Sequence, residues 1–98
     1  MNTDLKNFLV SERHVDWTIV QSENISLIPC DSRGIQFSIK VGKYIIGTIS
    51  VFAKYVVCEE IPEAAELIIK KKLANKQEDL YSMDAGRRKK EIEKILNE

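Results

Sequence analysis

Few side chains in this chain could act as nucleophiles, bases or soft metal ligands. His14 is the only histidine, and Cys30 and Cys58 are the only cysteines. A catalytic triad needs a nucleophile beside a base that a third group orients. No serine or cysteine motif accompanies His14, which stands between Arg13 and Asp16 at an expected helix-to-strand junction. A closed zinc site needs four Cys or His ligands at short spacings, and these three scattered residues do not supply one. The two thiols fall near expected strand ends and read as reduced, inert cysteines of a cytoplasmic protein. Gly34, Gly42, Gly47 and Gly86 match no phosphate-binding spacing. No catalytic residue, cofactor or metal is therefore expected, and the chain reads as a non-enzyme.

Two charged groups remain. Glu59, Glu60, Glu63 and Glu66 could be read as an acid/base or metal pair, but they crowd the start of an expected helix, where acidic groups complement the dipole. Arg87, Arg88, Lys89 and Lys90 are four consecutive cations at the start of the last expected helix, where they oppose its dipole. That local cost makes them candidates for an acidic protein partner or for nucleic acid. Glu91 and Glu93 offer i,i+4 pairs to Arg87 and Lys89, which is how a solvated face reads.

The elements that must hold these groups follow from length and pattern. Ninety-eight residues support one domain, and 44% hydrophobic content is too high for wholesale disorder. The formal net charge of zero argues against a surface built throughout for nucleic acid or anionic lipid. Nothing in residues 1–14 resembles an export signal, and the run Tyr44–Ala53 is too short to span a bilayer.

Leu5, Phe8 and Leu9 share one face of a short N-terminal helix that Thr3 can cap. Val15, Trp17 and Ile19 alternate with polar residues, the period of a strand. Further strands are expected at Ile25–Cys30, at Ile35–Val41, and from about Ile45 to Val57. The last is long enough to need a bend or bulge, with Gly47 as the point of irregularity or close approach. Asp31-Ser32-Arg33-Gly34 fits a type I turn. An odd-length loop at Gly42-Lys43 would pair Val41 with Ile45, Phe37 with Ile49 and Ile35 with Val51, apolar against apolar. Pro62 opens a helix that buries Ile61, Ala65, Ile68, Ile69 and Leu73. After a break near residues 81–86, Ser82 or Asp84 caps a last helix with the thin stripe Ala85, Ile92, Ile95 and Leu96.

The expected fold is α+β: a short N-terminal helix, a four-stranded antiparallel meander and two C-terminal helices. Phe8, Trp17, Ile19, Phe37, Ile39, Ile49, Ile69 and Leu73 form its core. Residues 1–80 make one domain, and residues 81–98 a helix that is loosely docked or partner-binding. On the long last strand, Ile46, Phe52 and Val56 fall opposite the core face, where a sheet covered on one side should be polar. Either the last helix folds back over them or they form an exposed patch for a partner; the second is preferred.

The order helix, antiparallel strands, helix over residues 4–76 resembles the type III secretion chaperone-like domains. That resemblance implies a non-enzymatic dimer that holds a protein partner, and it carries over no residue. The expected function is protein binding, of the adaptor, inhibitor or immunity type, through Ile46, Phe52 and Val56 with Arg87, Arg88, Lys89 and Lys90 as a second contact. The partner is a protein, with a homodimer as one form of it. The alternative is a nucleic-acid accessory protein using residues 87–90.

Overall fold

A computed structural model of the chain describes residues 2–11 and 15–98. Met1, Glu12, Arg13 and His14 lie outside the described residues, as do the side chains of Asn2, Thr3 and Ile19. The junction role of His14, the Thr3 cap and the Ile19 core position fall there. The elements run α1 (Asn2–Val10), α2 (Trp17–Val20), β1 (Ile25–Pro29), β2 (Gln36–Val41), β3 (Tyr44–Val51), β4 (Val56–Glu59), α3 (Glu63–Leu73), α4 (Gln77–Ser82) and α5 (Ala85–Asn97). The fold is α+β, with one four-stranded antiparallel sheet in the order β1-β2-β3-β4. No helix among the described residues is long and apolar enough to cross a membrane.

β1 and β2 form where the alternation places them, but the sheet reaches four strands by a different division of the rest. The first expected strand is instead the single helical turn α2. The Asp16 carboxylate accepts from the Thr18 N–H at 3.0 Å and starts a helix there. Trp17 and Val20 then fall at i and i+3, so Val20 enters the core beside Trp17 with a helical period. The long last strand is two strands, β3 and β4, folded into a hairpin at Phe52–Tyr55. The Phe52 N–H donates to the Tyr55 carbonyl at 3.0 Å, and the two rings stack with centroids 4.8 Å apart.

The Gly42-Lys43 turn combines two registers. At the tip the loop has two residues, and Val41 pairs with Tyr44 rather than Ile45. Gly42 takes φ +60°, the sign demanded where glycine opens a two-residue hairpin turn. A bulge then intervenes: Lys40 faces Ile45 and Ile39 faces Gly47, with Ile46 the extra residue. Beyond it Phe37 faces Ile49, the pairing that the apolar pattern requires. Hydrophobic register and tight turn are both satisfied because the bulge absorbs the difference.

One face of the sheet carries the core. Ile25 and Leu27 of β1, Phe37, Ile39 and Val41 of β2, Ile49 and Val51 of β3 and Val56 of β4 are buried on it. Leu5, Leu9 and Val10 of α1, Ala65, Ile69 and Leu73 of α3, Leu80 of α4 and Ile92, Ile95 and Leu96 of α5 close over it. Trp17 packs half-buried against this core, but Phe8 is exposed, since α1 turns Lys6 and Val10 inward in its place. Only 3% of Lys6 is exposed, and its ammonium donates to the carbonyls of Val20 (3.4 Å), Gln21 (2.7 Å) and Glu23 (2.6 Å) at the end of α2. Burial lowers its pKa, and the Glu23 carboxylate partly opposes that.

Pro62 precedes α3 as expected, with Glu63 and Glu66 in the first turn and Lys70, Lys71 and Lys72 in the last. Glu66 and Lys70 pair at 3.3 Å. An earlier break than the expected one ends α3: Asn75 takes φ +66°, a left-handed conformation that asparagine tolerates, and the short α4 follows. Asp84 caps α5 by accepting from the Arg87 N–H at 3.0 Å.

Candidate interaction surface

The four cations at the start of α5 do not act together. Helical rotation splits them. Arg88 lies four residues before Ile92, on the buried face, and only 6% of it is exposed. Its Nε donates to the Leu80 carbonyl (2.9 Å). One terminal nitrogen donates to Arg33 (2.8 Å) and Gly34 (2.7 Å), the other to Tyr81 (3.0 Å) and Met83 (2.6 Å). All these acceptors are backbone carbonyls. One guanidinium thus ties α5 to the end of α4 and to the β1–β2 turn, and its planar fork suits acceptors spread in this way. Gly34 makes the close approach possible: it has φ +68°, and a Cβ there would lie 2.5 Å from the Ala85 Cβ. Lys89 is committed to Glu93 at 3.0 Å. Arg87 and Lys90 alone remain exposed. As a four-charge contact surface, residues 87–90 are corrected by the burial of Arg88.

The rest of α5 seals an edge of the sheet. Antiparallel β1 has its outer N–H and C=O groups free of strand partners, a hazard for association. Asn97 accepts from the Ile25 N–H (2.8 Å) and donates to the Ile25 carbonyl (2.7 Å), while the Glu93 carboxylate accepts from the Leu27 N–H (2.8 Å). Side chains one helical turn apart thereby stand in for a fifth strand. With Ile92, Ile95 and Leu96 in the core, α5 is docked along its length.

The expected apolar patch is also corrected. Ile46 and Val56 are buried in the core. Two irregularities invert them: the bulge brings Ile46 onto the same face as Gly47, and the hairpin at residues 52–55 resets the alternation before Val56. Phe52 remains on the opposite side, half-buried against Tyr55.

That opposite side is nonetheless open. Register places Ser26, Lys40 and Ile45 in one row across it, Ile28, Ser38, Thr48 and Glu59 in the next, then Gln36, Ser50 and Val57. None of these residues is buried, and among the described residues no helix covers them. Ile45 is 60% exposed, Tyr55 55%, Ile28 40% and Val57 36%. A field of small hydroxyl side chains thus has large apolar ones around it. The expected patch lay on the face opposite the core, which is open, but Ile46 and Val56 are not on it. Ile45, Tyr55 and Val57 are there instead because the bulge and the hairpin leave no mark in the alternation, and Ile28 because adjacent Leu27 and Ile28 leave the inward face of β1 undecided.

Among the described residues no three His, Cys, Asp or Glu side chains gather as a metal site. Both cysteines are free. Burial pushes the Cys58 thiol up to about 11, Glu66 adds to this, and Lys70 opposes it. Cys30 is exposed on the open side, its Sγ 3.2 Å from the Ser38 hydroxyl. Iodoacetamide at neutral pH should therefore label Cys30 well before Cys58, as read by peptide mass. Equal labelling rates in the folded protein would contradict this assignment.

The chain matches no protein-family model, and comparison with curated proteins and with solved structures finds no match.

Proposed function

We propose that this chain is a non-enzymatic, cytoplasmic protein-binding module of the adaptor or inhibitor type, whose docking surface is the open face of its sheet. The observation that carries this reading is the exposure of Ile28, Ile45, Tyr55 and Val57 on a face that no element covers among the described residues. Apolar side chains exposed together favour association, because their removal from water is worth about 25 cal/mol per Å². Ser26, Ser38, Thr48 and Ser50 between them are small, so a partner can approach the backbone closely. Arg88, Lys89, Glu93 and Asn97 are meanwhile occupied in holding α5 to the sheet.

Capture from native extract by the wild-type chain and by Ile45→Asp tests this. Ile45 is mostly solvated, so the variant should melt at the same temperature. A stoichiometric partner held by the wild type and lost by at least tenfold with Ile45→Asp is the expected result. Equal capture by both chains would contradict it.

A further inference from the structure

We propose that the free edge of β4 docks a second copy of this chain, joining the two four-stranded sheets into one continuous antiparallel sheet across a two-fold axis at Val57. The hydrogen-bond pattern fixes which groups are on offer. The Phe52 N–H bonds the Tyr55 carbonyl, and the Val51 N–H turns the other way to Ile35 beside β2. Antiparallel pairs alternate between bonded and non-bonded, so Val51–Val56 and Ile49–Cys58 are non-bonded pairs. The N–H and C=O groups of Val56 and Cys58 therefore point away from β3, outward from the sheet. On β1 the equivalent groups are taken by Glu93 and Asn97. On β4, among the described residues, nothing takes them.

The side chains of the strand select the occupant. With the two-fold axis at Val57, Val56 of one copy exchanges hydrogen bonds with Cys58 of the second copy. Val57 meets Val57, and Tyr55 faces Glu59, a phenol donor opposite a carboxylate. Tyr55, Val57 and Glu59 are all exposed on the open side, as this pairing requires. Axes at Val56 or Cys58 keep the bonding alternation but set Lys54 against half-buried Cys58, or Val57 against Glu59. The strand is thus self-complementary in one register. A net charge of zero leaves no overall repulsion between copies. The assembly also closes at two: the far edge of each sheet is capped by α5, and Glu60, at φ +60°, turns the chain out of the strand. This pairing does not rest on the docking role of the open face; it sets the two open faces side by side.

Sedimentation of the unaltered chain over a wide concentration range should show a monomer–dimer equilibrium. Hydrogen exchange should show the Val56 and Cys58 amides gaining protection as the dimer fills, and Val57→Lys should shift the equilibrium at least tenfold toward monomer. In a Cys30→Ala, Cys58→Ala background, Val57→Cys should oxidise to a covalent dimer. Non-bonded antiparallel pairs hold Cα atoms about 4.5 Å apart, within disulfide reach. Ile45→Cys in the same background should form no covalent dimer. A chain that is monomeric throughout, or that crosslinks through position 45 and not 57, overturns the proposal.

Discussion

Arg88→Met should lower the free energy of unfolding by about 3–5 kcal/mol, because five backbone carbonyls lose one shared donor at once. Methionine keeps the apolar length of the side chain but none of its donors. The carbonyls of Arg33, Gly34, Leu80, Tyr81 and Met83 then lose their shared partner in a place water reaches poorly. Each buried acceptor left unmade costs about 1–3 kcal/mol, moderated by whatever water enters. For a domain of this size the melting temperature should fall by at least 12 °C, at about 4–8 °C per kcal/mol. Arg88→Lys keeps the charge but not the fork and should recover only part of the loss. Arg87→Met, one position earlier and exposed, should change stability by less than about 0.5 kcal/mol. Calorimetry on the three variants separates a buried staple from a surface cation. Equal effects at positions 87 and 88 would contradict the assignment.

Gly47→Ala should destabilise by about 3 kcal/mol, although alanine in place of a strand glycine usually gains about 0.5–1 kcal/mol. The reason is contact. A Cβ at this position would lie 2.5 Å from Ile61 Cγ1, 2.8 Å from the Glu59 carbonyl oxygen and 2.9 Å from that of Glu60. The isoleucine could rotate, but the two carbonyls belong to the backbone that ends β4. Relief requires β3 and β4 to separate where Thr48 faces Glu59. Urea titration measures the sign directly: an unchanged or raised midpoint would contradict the close approach.

The parts of this fold that could be read from sequence are those where one local rule acts alone. Phe37, Ile39 and Val41 alternate without interruption and form β2. Pro62 with flanking charge blocks marks α3. Asp31 and Gly34 mark a turn in which the Asp31 carboxylate accepts from the Ile35 and Gln36 N–H groups. Where two rules competed, pattern alone misplaced residues. Val15, Trp17 and Ile19 alternate, yet the Asp16 cap and the Trp17–Val20 spacing yield a helical turn. Ile46 and Val56 lie on the alternation of one long strand, but a bulge and a hairpin each add a parity change, so both enter the core. Of the expected patch only Phe52 therefore lies on the open face. Arg88 was legible in principle: it continues the stripe of Ile92 and Leu96 one turn toward the start of α5. Its neighbours Arg87, Lys89 and Lys90 concealed it, because composition counts charges and not the direction each one faces.

We place recognition on the open sheet face, because within the basic cluster Arg88 and Lys89 are taken up in holding α5 and only Arg87 and Lys90 remain exposed. The most direct measurement is photo-crosslinking in native extract with a benzophenone side chain placed at residue 45 or, separately, at residue 90. A discrete heterologous protein adduct is expected from position 45 and none from position 90. Adducts from position 90 alone, whether to protein or to nucleic acid, would contradict it.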